Sequence, residues 1–325
     1  MNNLRHGTET RRRRSWGDPD VSYSARDLIR LLDLEPIEYN IYRGRNRDIG
    51  SGRIFGGQVL AQALVAARRT VEEPREAHSM HGYFILPGDL EVPVVYFVDR
   101  LRDGRSFTTR RVTAIQHGHA IFNASASFHK EEGGPEHQTE MPEVPPPEEL
   151  TDELELIRAV ADRIPESIRR VVTQDRPIEY RPVDPIDPFD PEPRPPVRHV
   201  WLRAIGGMPD DVLDHQALLA YASDYGILGT ALRPHGVTFR DPGMQVATLD
   251  HALWFHRRFR IDEWLLYATE SPATAGARGF ARGGVYTRDG TLVASVAQEG
   301  LVRPIGERRR ESKGSVRGPR PEGDG

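Results

Sequence analysis

The last apolar stretch of the chain, TLVASVAQEGLV at residues 291–302, carries a glutamine on a face that is otherwise apolar. Alternate side chains of a β-strand share a face, so Gln298 is expected on the same face as Ala294 and Val296. A buried amide without a partner costs about 1–3 kcal/mol. Gln298 is therefore a candidate functional residue. The structural alternative is a hydrogen bond to a neighbouring strand end.

Asp224 creates a similar conflict in a helical pattern. It lies three or four residues from Ala220, Tyr221 and Leu228, which form an apolar stripe. A carboxylate on such a stripe is costly unless it is paired or its pKa rises. Asp224 is thus a candidate functional residue. The alternative is a turn residue, because Gly226 follows closely.

Thr248 lies in the strand-like segment QVATLDHALWFHR at 245–257. When His81 is aligned with His251, Thr248 falls opposite His78 in the first half of the chain. A threonine in a strand is ordinary, and the pattern alone does not separate a functional role from a structural one.

A helical pattern, FGGQVLAQALVAA at 55–67, opens with Gly56-Gly57-Gln58. Paired glycines allow another group to approach the backbone, and the first N–H groups of a helix have no partner within the helix. Gly57 and Gln58 are therefore candidate substrate-binding residues. The alternative is a simple turn before the helix.

The composition excludes several kinds of chemistry. The chain has no cysteine, which excludes disulfides, thiolate metal ligands and a cysteine nucleophile. Lys130 and Lys313 are its only lysines, and neither lies in a phosphate-loop pattern or suits a Schiff base. Neither an HExxH nor a GxSxG motif is present. We therefore expect no metal and no cofactor, and chemistry carried by carboxylate, amide, hydroxyl and imidazole groups.

The charge and hydropathy patterns limit the partners. The net charge of −4 argues against general binding of nucleic acid. No stretch approaches the roughly 20 apolar residues of a membrane helix, so stable membrane anchoring is not expected. The arginine-rich N-terminal segment has no apolar run after it and does not resemble a secretory signal. These patterns predict a cytoplasmic protein.

The composition also divides the chain into segments. Residues 1–22 and 305–325 are rich in charged residues, glycine and proline, and they are predicted to be disordered tails. Of the 26 prolines, 14 fall between residues 131 and 200, which predicts an extended linker at 131–197. Helical spacing in TDELELIRAVADRIPESIRRVV predicts one helix within this linker. The linker separates an N-terminal half at 23–130 from a C-terminal half at 198–304.

The two halves share one pattern. Each contains an apolar helix, at 55–67 and 215–228, followed by four strand-like segments with hairpin turns. Matching Gly118 with Gly290 aligns the last hairpins and sets Gln298 opposite Ala126. A helix followed by an antiparallel meander favours an α+β class, with each helix packed on a curled sheet. Two tandem units of this kind predict a pseudo-dimer with a continuous sheet.

Several long motifs, in order, make the chain resemble the type II acyl-CoA thioesterases, whose fold is a double hotdog. The motifs run from about residue 27 to 303 and include FGGQVLAQAL, HSMHGYFILPGD, LLAYASDYGIL, ATLDHALWFHR and LVASVAQEG. The resemblance implies hydrolysis of fatty acyl-CoA to a free fatty acid and coenzyme A, without a cofactor. It also implies that Asp224, Thr248 and Gln298 hold and activate a water molecule. No covalent intermediate is then required.

The resemblance suggests further contacts for the substrate. Backbone N–H groups near Gly57 or in the Asp224 region are candidates for binding the oxyanion, and Arg278 for meeting the phosphates of coenzyme A. Gln58 and His78 complete the predicted substrate-binding set. Because hotdog sheets commonly pair, a homodimer or homotetramer is expected.

Two other functions remain open on the sequence alone. A hotdog hydratase or dehydratase acting on enoyl-CoA would pair an aspartate with a histidine, which requires His251 or His78 beside Asp224. A non-catalytic acyl-CoA-binding module would need no buried polar group, so Asp224 and Gln298 argue against it.

Overall fold

The computed structural model of this protein describes residues 23–305, and in this range 13 strands form one sheet in which every strand pair is antiparallel. The N-terminal half comprises α1 (Ala25–Leu32), β1 (Glu35–Glu38), β2 (Ile41–Gly44), α2 (Gly56–Arg68), β3 (Arg75–Phe84), β4 (Val94–Asp103), β5 (Phe107–Gln116) and β6 (His119–Lys130). The middle segment contains α3 (Glu153–Ala159), α4 (Glu166–Val172) and β7 (Ile178–Pro182). The C-terminal half comprises β8 (Val197–Ala204), α5 (Val212–Ser223), α6 (Gly229–Leu232), β9 (Met244–Thr248), β10 (Asp250–Phe255), β11 (Leu265–Ala275), β12 (Arg278–Thr287) and β13 (Leu292–Pro304).

The two halves join edge to edge through β3 and β10. The order across the sheet is β1-β2-β4-β5-β6-β3-β10-β13-β12-β11-β8-β7, with β9 also paired to β13. At the junction Asp250 pairs with Tyr83 and Trp254 with Ser79. The predicted α+β arrangement, two tandem units of helix and antiparallel meander on a continuous sheet, is therefore confirmed.

The helices α2 and α5 form the centre of the core. Their apolar residues occur on every side, and all residues from Gly57 to Ala67 and from His215 to Ser223 are buried. The helices pack against each other in opposite directions: the start of α2 touches the end of α5, and Arg68 at the end of α2 lies in the field of Asp211 at the start of α5. A helix surrounded on all sides needs no polar face, which explains the alanine- and leucine-rich sequences.

Two predicted elements are shorter than the sequence indicated. The helix expected at 215–228 ends at Ser223, because Gly226 adopts a left-handed conformation with φ of +79° and turns the chain. Asp224 is therefore the residue that caps α5 rather than one inside the helix. The strand expected at 245–257 is interrupted at Leu249, which separates β9 from β10.

The single helix predicted within the linker is wrong. The structure contains α3 and α4 instead, separated by a short 3-10 turn. Pro165 explains the break, because proline has no N–H group and disfavours a helical conformation of the residue before it. Ile164 accordingly adopts an extended backbone with φ of −84° and ψ of 132°.

The middle segment also packs closely onto the C-terminal half. β7 extends the sheet by pairing with β8. Met141, Val144 and Leu150 pack near the buried residues Trp201 and Leu266, and the Trp201 indole N–H donates to the Pro145 carbonyl at 2.9 Å. The segment is thus an integral part of the fold as well as a connection.

The tails predicted to be disordered lie outside the described residues, except for Ile305. Between residues 23 and 305 no helix has the length and apolar character needed to cross a membrane.

Arg110 on β5 is an unusual feature of the N-terminal half, since its side chain is only 1% exposed. Its guanidinium donates to the hydroxyl and carbonyl oxygens of Thr70, at 2.7 and 2.9 Å, just beyond the end of α2. In the sheet Arg110 pairs with Ala126, whereas the equivalent pair of the C-terminal half is Ala281 with Gln298. Each half thus carries one large polar side chain at this position, on opposite strands.

We predict that Arg110→Met lowers the free energy of unfolding by about 1–3 kcal/mol, because the buried oxygens of Thr70 lose their donor. Urea denaturation followed by tryptophan fluorescence measures the loss. Arg111→Met is the matched control, since the Arg111 side chain is 56% exposed and pairs with Asp99 at the surface. Equal losses in the two variants would contradict a special role for Arg110.

Candidate active site

Asp224 lies where the end of α5 meets the start of α2. Its side chain is buried, and the backbone N–H of Gly57 donates to its carboxylate. A Cβ atom added to Gly56 would lie 2.6 Å from Oδ2 of Asp224, so only glycine allows the carboxylate this close to the helix. The first N–H groups of α2 and its positive dipole end therefore stabilise the charge of Asp224.

Thr248 and Gln298 reach Asp224 from neighbouring strands. β9 pairs with β13 so that Thr248 stands opposite Gly300. The Thr248 hydroxyl donates to Oδ1 of Asp224 at 3.3 Å, and Nε2 of Gln298 donates to Oγ1 of Thr248 at 3.0 Å. The Gln298 amide also hydrogen-bonds to Asp224. The structure thus brings the three residues selected from the sequence into one cluster.

Opposing effects act on the acidity of Asp224. Burial raises the pKa of this carboxyl, and it is the largest effect. The nearby imidazole of His251 and the hydrogen bonds from Gly57, Thr248 and Gln298 lower the pKa in part. The pKa of Asp224 lies above that of an ordinary aspartate, which makes the carboxylate a stronger base than one in water.

His251 extends the cluster, and the sequence reasoning assigned it only to the hydratase alternative. The imidazole is 1% exposed, with Nδ1 2.6 Å from Oε1 of Gln298 and Nε2 2.9 Å from Oγ of Ser223. Burial lowers the pKa of His251, although the negative charge of Asp224 acts in the opposite direction. A signal was available in the sequence, because His251, Leu253 and Phe255 alternate along β10 as its buried face. Ser223 carried no such signal.

The structure places the other predicted contacts differently. Both ends of the Gln58 amide are engaged by backbone, Oε1 by the Arg47 N–H at 3.2 Å and Nε2 by the Arg45 carbonyl at 3.0 Å. His78 packs against Phe107 and His129, and its Nε2 is buried with no hydrogen-bond partner among the described residues.

The structure also shows the surroundings of Gly57 and Arg278, two further predicted substrate contacts. The N–H of Gly57 faces the carboxylate of Asp224 rather than remaining free for an oxyanion. Arg278 lies at the surface, with 52% of its side chain exposed, and pairs with Glu299 at 2.9 Å. Over residues 23–305 no group of three histidine, aspartate or glutamate side chains could hold a metal ion.

The middle segment anchors the residue that follows Asp224. The hydroxyl of Tyr225 donates to Oε2 of Glu153 on α3 at 2.7 Å and accepts from Arg176 at 2.8 Å. Arg176 and Glu153 also pair directly at 2.8 Å, and the ring of Tyr180 stacks on that of Tyr225 with centroids 4.6 Å apart. Residues of the middle segment thereby hold the end of α5, which belongs to the C-terminal half.

Known families match both halves of the chain. A family model described as acyl-CoA thioesterase matches residues 169–301, and one described as acyl-CoA thioesterase N-terminal domain matches residues 44–129. Acyl-CoA thioesterase 2 of Haemophilus influenzae is 44% identical over 277 residues, covering 85% of this chain and 97% of that protein. Acyl-coenzyme A thioesterase 8 of Homo sapiens is 41% identical over 295 residues, covering 88% and 92%.

A solved structure agrees with these matches. The crystal structure of acyl-CoA thioesterase II TesB2 from Mycobacterium marinum superposes with a TM-score of 0.70 at 40% identity, covering 86% of this chain and 99% of that one. The architecture and the matches together define a double-hotdog thioester hydrolase. The chain belongs to the acyl-CoA thioesterase family.

We predict that Tyr225→Phe lowers kcat for thioester hydrolysis about three- to tenfold, because the backbone beside Asp224 loses its anchor on α3 while the Arg176–Glu153 pair remains. Steady-state release of free thiol measures the change. Tyr180→Phe is the matched control, since among the described residues its hydroxyl makes no hydrogen bond to another side chain or to backbone. Similar losses in both variants would argue against the anchoring role.

Proposed function

We propose that this protein hydrolyses acyl-CoA to a free fatty acid and coenzyme A by direct attack of water. The observation that carries the proposal is the buried carboxylate of Asp224, which accepts hydrogen bonds from Gly57, Thr248 and Gln298. These donors favour the ionised form of the buried carboxylate and orient it as a general base, while burial raises its pKa. The relatives at 41–44% identity, which are named as acyl-CoA thioesterases, support acyl-CoA as the substrate.

In the proposed reaction Asp224 accepts a proton from the water molecule as its oxygen attacks the thioester carbonyl carbon. The resulting tetrahedral oxyanion collapses, the carbon–sulfur bond breaks, and the coenzyme A thiolate leaves and takes up a proton. Thr248 and Gln298 orient the water through hydrogen bonds. Positioned proton transfer of this kind contributes about 100- to 10,000-fold to a rate. No covalent acyl-enzyme is formed.

The remaining features of the proposal follow from the sequence. Arg278 is retained as a contact for the coenzyme A phosphates because its guanidinium is exposed, although Glu299 competes for it. The division into halves at 23–130 and 198–304 around the segment 131–197 is proposed as the domain organisation. A cytoplasmic location and a homodimer or homotetramer also belong to the proposal.

The geometry disfavours an enoyl-CoA hydratase or dehydratase. Such an enzyme would use His251 as an acid or base, but Gln298 and Ser223 occupy both of its ring nitrogens. Incubation with saturated and with unsaturated acyl-CoA separates the two reactions. Release of free thiol from both substrates supports hydrolysis, whereas hydration of the double bond without thiol release would support the hydratase.

We predict that Asp224→Asn lowers kcat at least 100-fold, since the carboxamide cannot accept the proton. The same variant should unfold at an equal or higher temperature than the wild type, because a costly buried carboxylate is removed. Thiol release and differential scanning calorimetry measure the two effects. Asp214→Asn, on α5 but near its opposite end, is the control and should retain normal turnover. Near-normal turnover of Asp224→Asn would overturn the proposed role.

The acidity of Asp224 predicts a pH dependence. Only its ionised form is active, so kcat falls as the pH decreases through a pKa that lies above the ordinary aspartate value. The effect on stability has the opposite sign. Because the pKa is raised by folding, the contribution of Asp224 to stability is present at low pH and is lost as the pH rises through the folded pKa.

Thr248→Val tests this assignment, since it removes one donor to the carboxylate while preserving shape. A hydrogen bond to a charged group contributes about 1.5–3 kcal/mol, so the inflection of the pH profile should move upward by about one unit or more. An unchanged or lower inflection in the variant would contradict Asp224 as the group that titrates.

A further inference from the structure

Four hydrogen bonds link three buried side chains and the half-buried Thr248 in one row that ends at the buried Asp224. Ser223 Oγ meets Nε2 of His251 at 2.9 Å, and Nδ1 of His251 meets Oε1 of Gln298 at 2.6 Å. Nε2 of Gln298 then donates to Oγ1 of Thr248, whose hydroxyl donates to Asp224. Among the described residues His251 makes no hydrogen bond to Asp224, so its hydrogen-bonded link to the carboxylate runs through Gln298 and Thr248.

The orientation of the Gln298 amide sets the direction of this row. Oε1 of Gln298 is an acceptor only, so the nitrogen 2.6 Å away must carry the proton. A neutral His251 therefore holds its proton on Nδ1, and Nε2 accepts from the Ser223 hydroxyl. Along the row from Ser223 to Asp224, every donor then faces an acceptor.

With the opposite tautomer of His251, the Gln298 amide would have to point the other way. If Ser223 donated only to the Ala220 carbonyl, which lies 3.0 Å away, Nε2 of His251 would carry the proton and Nδ1 would be an acceptor. Gln298 would then have to turn its NH2 group toward His251 and its oxygen toward Thr248 and Asp224. The carboxylate would lose the Gln298 donor, and an amide oxygen would point at its negative charge.

We propose that His251 is a positioning residue for thioester hydrolysis: its Nδ1–H holds the Gln298 amide with the NH2 group facing Thr248 and Asp224, and Ser223 holds His251 in that tautomer. This inference rests on the proposed function and adds to it the group that orients one of the three water-binding side chains. An amide has no charge or shape that selects one orientation, so a buried partner with a defined proton is needed to select it.

The first test is a double-mutant cycle that measures thiol release from acyl-CoA. His251→Leu should lower kcat about 10- to 100-fold with little change in KM, since His251 does not contact the substrate. In a Gln298→Ala background the same substitution should lower kcat less than twofold, because the residue through which it acts is gone. Equal losses in the two backgrounds would overturn the proposal and indicate a structural role.

Two further variants of His251 separate the roles of its two ring nitrogens. His251→Asn keeps an amide N–H near the position of Nδ1 and should retain most of the activity, whereas His251→Gln places its amide near Nε2 and should behave like His251→Leu. Calorimetry of each variant shows whether it folds. Gln298→Ala is expected to fold with a modest loss of stability, because Nδ1–H of His251 then lacks its acceptor.

The second test does not depend on activity. Nitrogen-15 spectra of histidine-labelled protein, assigned with the His251→Asn variant, report which ring nitrogen carries the proton. A proton on Nδ1 near neutral pH supports the proposal, and a neutral ring protonated only on Nε2 overturns it. If the wild type released no thiol from any acyl-CoA, the proposed function would fail. A wild type that is active with Nε2 protonated would instead refute only the positioning role.

Discussion

The candidate site depends on one carboxylate, that of Asp224, which is held inside the core. Asp224 is buried between α2 and α5, where it loses most of its contact with bulk water, and hydrogen bonds and the start of α2 replace part of that solvation. The start of α2 supplies the Gly57 N–H, and Gly56 leaves room for the carboxylate to approach it. The antiparallel packing of the two central helices is thus a requirement of the site as well as of the core.

The same constraint explains the role of the middle segment. α5 ends just before Asp224, and a chain that leaves a helix through a glycine has freedom to move. Glu153 and Arg176 reduce that freedom by holding the hydroxyl of Tyr225. A segment that the proline content indicated as a spacer therefore contributes to the precision of the site, because its α3 and β7 pack onto the C-terminal half.

The two halves have diverged at equivalent positions of one architecture. In the N-terminal half Arg110 reaches the end of α2 and binds Thr70, which gives the carbonyl at a negative helix end a positive partner. In the C-terminal half the paired position is Ala281, and the neighbouring strand supplies Gln298. The pseudo-dimer therefore has two chemically different ends. Arg110 lies at one end of the pair of central helices, and Asp224 lies with its donors at the other.

Much of this arrangement was readable from the sequence, because periodicity is a local property. It identified the repeated helix-and-meander units and indicated Asp224 and Gln298 as polar groups on apolar faces. Thr248 entered through the family resemblance, because a threonine in a strand has no distinctive pattern. The linker helix was predicted as one piece because helical spacing continues through Pro165, while the backbone there does not.

Tertiary structure decided the contacts between residues distant along the chain. The N–H of Gly57 meets Asp224 only because α2 and α5 pack in opposite directions, and Gln298 meets His251 only because β10 and β13 are neighbours. The sequence by itself indicated that two polar residues, Asp224 and Gln298, would lie on apolar faces. Only the folded chain determined their partners, and therefore the proton positions and the charge that those partners impose.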